Sequence, residues 1–233
     1  MIADSSTSPA AARPSRIHLG PRRLAAAGVL AGVIALLMLT PRLHDGLLSV
    51  LEAARRVADA SPWQAAVLVI VFAAASAMLA FVSTGLIVPF VVYTWPPAIA
   101  LLLLWTGWLL GGLCAYSVGR ILGRPVIRTL LTADVMERYE ARFTSRMSFG
   151  MVVLVQLALP SEIPGYLLGA ARYSMIGYLA ALGLAELPYA LATVYIGLGV
   201  VARELPLMIG VTVATLALGG YSLSRLHRHL TAE

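Results

Sequence analysis

Apolar positions run along the chain in blocks far longer than those of a water-soluble domain. Leu24 to Thr40 gives 17 nearly unbroken apolar residues, enough at the lower limit to cross a hydrocarbon core of about 30 Å. The run is too long for a signal-peptide core and no small-x-small cleavage site follows closely, so a retained transmembrane anchor is expected. From Leu43 to Ala60 the apolar positions Leu43, Leu47, Val50, Leu51, Ala54 and Val57 return at helical spacing, with His44, Asp45, Glu52, Arg55, Arg56 and Asp59 between them. That pattern predicts an amphipathic helix lying on the membrane surface. Trp63 to Val82 is apolar throughout, but the chain then passes through Ser83, Thr84, Gly85, Pro89 and the pair Pro96-Pro97 before a long apolar helix from Ala98 to Gly119. Helix breakers embedded between apolar runs predict a re-entrant hairpin shaped by Pro89.

A second hairpin is expected downstream. Only 12 apolar residues separate Ser148 from Pro160, too few to span. Pro160, Ser161, Glu162, Ile163, Pro164 and Gly165 then turn the chain back. Two more helices follow, Met175 to Val200 and Leu207 to Leu223. Between the two hairpin units, Arg120 to Met147 is polar, with its apolar residues on one stripe, and predicts a surface helix pair or bent helix.

Composition removes any soluble alternative. With 60% apolar and 12% charged residues and a mean hydropathy of +0.86, the chain has too little polar surface to cover a globule, which excludes an ordinary soluble enzyme. All 17 basic residues are Arg, and the net charge is +6. That excess bears on topology rather than on nucleic acid, and no nucleic-acid partner is expected. With both hairpins entering and leaving on one side, twelve arginines fall in the cytoplasm: four in the N-terminal arm, six at 120–146 and two in the tail. Arg42, Arg55, Arg56 and Arg203 then lie outside, and both termini are cytoplasmic. The expected organisation is a disordered basic arm at 1–23, an anchor and surface helix at 24–62, a membrane domain at 63–200, and a last helix with a basic tail at 201–233. The fold class is an all-α integral membrane protein with two facing re-entrant hairpins in an inverted repeat, behind the N-terminal anchor.

Ionisable residues at membrane depth are functional candidates because each costs a few kcal/mol to insert. Three qualify: Glu162, Arg172 and Glu186. Glu162 sits between Pro160 and Pro164, where it either titrates or coordinates a cation beside exposed backbone, or shapes the turn through local hydrogen bonds. Arg172 suits a phosphate or acts as an interfacial anchor. Glu186 either lines the same cavity or forms an ion pair with Arg172. Gln156, Tyr166 and Tyr189 add polar groups to the candidate transport path, with packing as the alternative for each. Gly107, Gly111, Gly112, Ala115 and Gly119 recur at spacings near four and predict close helix approach. Cys114 is expected to be a packing residue. The four histidines lie outside the core helices, and no hydrolase, metalloprotease or nucleotide-binding motif occurs, so no enzyme, metal or cofactor is expected.

Two stretches resemble a known family. Gly107-Trp-Leu-Leu-Gly-Gly-Leu-Cys-Ala-Tyr-Ser-Val-Gly-Arg-Ile-Leu-Gly-Arg124 is similar to the Gly-rich helix of the bacterial DedA-type proteins, which share the VTT (SNARE-associated Golgi protein) domain with eukaryotic lipid scramblases. Pro160-Ser-Glu-Ile-Pro-Gly-Tyr-Leu-Leu-Gly-Ala-Ala-Arg172, with Glu186-Leu-Pro188 and Val194-Tyr-Ile-Gly197, resembles that family's second hairpin and following helix. The resemblance covers about residues 63–200. It implies transbilayer lipid movement in the bacterial cytoplasmic membrane, notably of undecaprenyl phosphate, along two facing hairpins. Many members carry an Arg before the first Pro of the second hairpin, where this chain has Leu154, Val155 and Gln156. Many also carry acids in the first hairpin, and Ser83 to Pro97 holds none. The expected function is a flippase or scramblase whose partners are membrane lipids with an anionic phosphate headgroup. Homo-oligomerisation is left open. An ion-coupled solute transporter and a non-transporting scaffold are the alternatives.

Overall fold

The computed structural model describes residues 40–78, 84–130, 147–159 and 162–231, with the side chains of 124–130, 162, 227 and 229–231 also outside the description. The expected arm, the anchor up to residue 39, and 131–146 of the basic segment lie outside the described residues. Everything described is helix, turn or short connection, with no strand among the described residues. Among the described residues the helices are α1 (Pro41–Ala60), α2 (Pro62–Met78), α3 (Val88–Thr94), α4 (Pro97–Leu130), α5 (Phe149–Ala158), α6 (Glu162–Ala170), α7 (Met175–Ala202) and α8 (Leu205–Thr231), with a 3-10 turn at Thr84–Leu86. Three helical segments, Pro97–Gly123, Met175–Ala202 and Leu205–Leu226, are long and apolar enough to cross a membrane. The chain is an all-helical membrane protein.

The amphipathic helix forms where the spacing placed it, and its apolar stripe divides in two. His44, Leu51 and Ala58 are buried, with α1 packed on α2 and α3. Leu43, Val50 and Val57 stand seven residues apart on an exposed strip. The remaining sector is charged, and Glu52–Arg56 pairs at i, i+4 at 3.1 Å. His44 is therefore buried on the packed side of α1, contrary to its expected place on the polar face of that helix. At Ser61 the chain bends by 117° into α2.

Two fold-backs follow, each leading into a long helix. In the first, α2 runs in, Thr84 donates to Ser76 at 2.7 Å across the reversal, and α3 returns to Trp95-Pro96 and α4. In the second, α5 runs in, the chain breaks after Ala158, and α6 returns to a turn that opens α7. The partners are exchanged between the two units. Helix α4 holds its own first arm, α2, together with the second arm of the other unit, α6; helix α7 holds its own first arm, α5, together with the other second arm, α3. Helices α4 and α7 pack against each other at the centre, and α8 lies outside on α5 and α7.

Small residues permit this arrangement. On α4, Gly107 and Gly111 face Ala73, Ala74 and Ala77 of α2, and any β-carbon at either position would overlap them. The next turns of α4 take α6. A β-carbon on Gly119 would fall on the Tyr166 carbonyl, and one on Gly169 of α6 would fall on the Tyr116 carbonyl. Each helix thus supplies a glycine for the other's backbone, which is the close approach that lipid-embedded helices need in place of a hydrophobic drive. Gly123 continues the contact against Ala170. Helix α4 runs unbroken to Leu130 rather than ending at Gly119, and as far as Gly123 it does so in contact with α6. Cys114 is exposed on α4 rather than packed.

Gly169→Ala is expected to lower stability by about 3 kcal/mol, at the upper end of overpacking costs, whereas Gly150→Ala, with open space around it, should be neutral or raise stability by about 0.5 kcal/mol. Thermal unfolding of the purified variants in detergent checks both.

Candidate functional site

Helix α6 of the second fold-back meets the end of α2 inside the bundle. A helix leaves its last carbonyls unpartnered, and both inner helix ends are closed by tyrosines of the opposite fold-back or long helix. Tyr166 of α6 donates to the Met78 carbonyl that ends α2, at 3.0 Å. Tyr189 of α7 donates to the Leu157 carbonyl near the end of α5, at 2.7 Å. The hydroxyls of Tyr166 and Tyr189 are thus held by backbone oxygens where each break occurs. A third closure comes from α4: the Trp108 indole N–H donates to Thr84 at 3.1 Å, and Thr84 donates on to Ser76. Trp105 donates to the Gly183 carbonyl at 3.0 Å, one residue before the carbonyl of Leu184 that Pro188 leaves without its helical donor.

Beside this junction lies a buried polar cluster. Gln156 of α5 is 4% exposed, Glu186 of α7 is 7% exposed, and Tyr178 of α7 is fully buried. Tyr178 donates to the Gly112 carbonyl at 3.1 Å and stacks on Tyr116 with ring centroids 4.9 Å apart. Gln156 neighbours the Tyr178 hydroxyl, and Glu186 lies within electrostatic reach of the hydroxyls of Tyr178 and Tyr189. Neither amide atom of Gln156 has a hydrogen-bond partner among the described residues. Its contact with the Tyr178 hydroxyl falls short of a well-formed hydrogen bond, so the buried carboxamide keeps capacity for a polar group.

The structure joins only part of the predicted set. Gln156 and Glu186 come together with Tyr189 close by. Arg172 does not join them: it is exposed just before α7, and eleven residues of helix from Met175 put Glu186 about 16 Å further along. The expected Arg172–Glu186 pair is absent because helix rise separates the two. Helix α6 likewise holds the backbones of Glu162 and Arg172 roughly 13 Å apart. Glu162 opens α6, and its side chain and Pro160 lie outside the described residues. Pro89 occupies the first turn of α3, where its missing N–H costs no helical bond. Pro164 is fully buried in the first turn of α6. Gly165 lies where a β-carbon would stand 2.9 Å from Ala115 and 3.0 Å from the Tyr178 hydroxyl, so this glycine sets the distance between hairpin and cluster.

Arg172 has a conformation that sequence does not reveal. Its N–H donates to the Gly169 carbonyl and the Tyr173 N–H to the Leu168 carbonyl, both at 3.0 Å. This closes α6 as a Schellman motif with Arg172 at φ 55°, where a side chain costs about 1 kcal/mol that glycine does not. Tyr116, Tyr178, Thr84 and Trp108 were missed as polar participants because aromatic and hydroxyl residues in apolar helices resemble packing. The one available signal was that Tyr178 and Glu186 stand eight residues apart, on one helical face.

Two substitutions separate structural from spare polar groups. Tyr166→Phe strands the Met78 carbonyl and should cost about 1–2 kcal/mol, whereas Gln156→Leu removes two unmet atoms and should raise stability by about 1 kcal/mol. Melting temperatures in detergent check the opposite signs.

Residues 77–199 match the VTT domain, more than half of the chain. No curated protein and no solved structure matches it. The chain belongs to the VTT-domain family, the DedA and SNARE-associated Golgi protein group of membrane proteins, regarded as transporters rather than enzymes.

Proposed function

We propose that this protein moves an anionic lipid, undecaprenyl phosphate or a phospholipid, across the bacterial cytoplasmic membrane as a flippase or scramblase. The observation that carries the reading is the buried Gln156 amide, short of a well-formed hydrogen bond, in one cluster with Tyr178 and Glu186. A polar cluster at the point where helix arms end inside an apolar bundle is the arrangement that broken-helix transporters use. The exchange of arms between α4 and α7 supports an inverted repeat with two re-entrant hairpins entering from opposite sides. The arginines support the orientation. Arg55 lies 5.9 Å from the Tyr93 ring, and Leu47 of α1 packs with Val200 and Met208 near Arg203, so these outer-side arginines gather at one end. Arg120 and Arg172 gather at the other, which makes that end cytoplasmic by the positive-inside rule.

In vesicles of defined lipid, the purified protein should expose fluorescent inner-leaflet lipid to dithionite at least about tenfold faster than empty vesicles, and Gln156→Leu should slow this by about tenfold, the equivalent of roughly 1.4 kcal/mol. Because that variant is expected to be more stable, its loss would not be misfolding. No acceleration for phospholipid or polyprenyl phosphate analogues, with or without a proton gradient, would sink the proposal and favour solute transport or a scaffold.

A further inference from the structure

Helix α8 is covered on one side only. Met208, Ser222 and Leu226 are buried, a β-carbon on Gly219 would stand 3.5 Å from the Tyr189 hydroxyl, and these four positions share one helical face. Of its apolar stretch 11% is buried, against 39% in α4 and in α7. The opposite face carries Gly210, Val213, Ala217, Gly220 and Ser224, all exposed and spaced 3, 4, 3 and 4 residues apart. A β-carbon on Gly210 or Gly220 would meet nothing within 4 Å, whereas each glycine of α4, α6 and α7 has a neighbour inside that distance. Glycine costs a helix interior about 1 kcal/mol relative to alanine. In α4 close packing offsets that cost, and in α8 no described residue does so at Gly210 or Gly220.

The contacts of α1 show which part of the chain ends beside this face. Toward the C-terminal end of α1, Arg55 lies 5.9 Å from the Tyr93 ring of α3. Closer to the N-terminal end, Leu47 packs with Val200 of α7 and Met208 of α8. Followed toward its N-terminus, α1 therefore leads from the first fold-back past the end of α7 to the start of α8. From Leu47 back to Pro41 it covers about 9 Å, which is one helix-to-helix spacing. The stretch that arrives there, Leu24 to Thr40, is 17 nearly unbroken apolar residues, a membrane span by length. Its small residues Ala25, Gly28, Gly32 and Ala35 recur at spacings of 3, 4 and 3, the spacing of one helical face.

We infer that the exposed face of α8 is the docking surface of the chain's own Leu24–Thr40 segment. Thr40 comes in at the Leu205 end of α8, so a segment that crosses the membrane to reach it runs antiparallel to α8. In that direction the two stripes match level by level: Ala35 opposite Gly210, Gly32 opposite Val213, Gly28 opposite Ala217 and Ala25 opposite Gly220. Small residues on both sides give the close backbone approach that α4 and α6 reach through Gly119 and Gly169, and Val213 fills the space that Gly32 leaves. Both partners lie outside residues 77–199, so the contact is an addition to the family domain. Helix α8 packs on α5 and α7, and α5 carries Gln156. The docked segment thus braces the second fold-back from its lipid side.

The test is disulfide cross-linking of the full-length protein in native membranes, with the linked peptides identified by mass spectrometry. Cys114 is the only cysteine in the sequence, so Cys114→Ser gives a clean background for two pairs, Ala35→Cys with Gly210→Cys and Ala25→Cys with Gly220→Cys. Both pairs should link within one chain. Their yield should be at least about tenfold above that of Ala25→Cys with the native Cys114, which is exposed on α4; tenfold corresponds to about 1.4 kcal/mol of preference for α8. Adding Gly28→Leu to the second pair should lower its yield about tenfold, because the larger side chain holds the two backbones apart. Elution as a single species in detergent checks that this variant is folded, and the two pairs decide the matter without it. Equal yields at Gly220→Cys and at Cys114 would show a segment that ranges freely through lipid and would overturn the inference. Links between two copies in the Gly210→Cys or Gly220→Cys single variants, with none to the segment, would overturn it as well and assign the face to a second copy of the chain.

Discussion

The contact on which the rest depends is the seat of α6 on α4, where two backbones meet with no side chain between them. Gly119 faces the Tyr166 carbonyl and Gly169 faces the Tyr116 carbonyl. Apolar side chains gain little by leaving lipid for protein, so the stability of this pair comes from close van der Waals contact and from the polar groups that proximity brings into range. With α6 set at this depth, Tyr166 reaches the end of α2, Tyr116 reaches the turn after α6, and Gly165 comes against the Tyr178 hydroxyl. One residue larger at either glycine moves all three.

Breaking helices inside an apolar bundle exposes backbone oxygens that no water satisfies. Here Tyr166, Tyr189 and Tyr178 each donate to a carbonyl supplied by a different element, and Trp108 serves the hydroxyl pair of Thr84 and Ser76. The carbonyls of Met78 and Leu157 at the described helix ends are thereby tied to other elements. Against that consistent pattern Gln156 stands out. Its amide occupies the same stratum and is unmet among the described residues, which marks where the interior has polar capacity beyond what its own architecture uses.

The exchange of arms between the two long helices has a mechanical consequence. Neither fold-back rests on one helix alone, since α4 and α7 each carry an arm of both. A shift of α4 relative to α7 would therefore move both reversals together and change the spacing around Gln156 and Glu186. The charged groups sort along the same axis, with Arg55 and Arg203 toward the α1 end and Arg120 and Arg172 at the opposite one, so any path between the fold-backs runs from one set of arginines toward the other.

Sequence alone determined that the chain is a helical membrane protein. Run lengths and breakers located α1, α2, α5 and α7 and the starts of α4 and α8 to within a few residues, because hydrophobic length and proline chemistry act locally; the short return helices α3 and α6 lie in stretches that read as helix breakers, and α4 and α8 run on past Gly119 and Leu223. The small-residue spacing on α4 was legible for the same reason: a four-residue repeat lies on one helical face whatever packs against it. Glu186 and Gln156 were visible as polar residues among apolar ones, yet nothing local said that they share a cluster while Arg172 stands apart from it. That was decided by helix rise and by which arm packs on which long helix, both set by contacts between residues far apart in the chain. The link from Arg120 through the Tyr116 hydroxyl to the Tyr173 carbonyl belongs to the same class, as does the left-handed turn at Arg172. Each depends on a carbonyl or ring that only tertiary packing brings within reach.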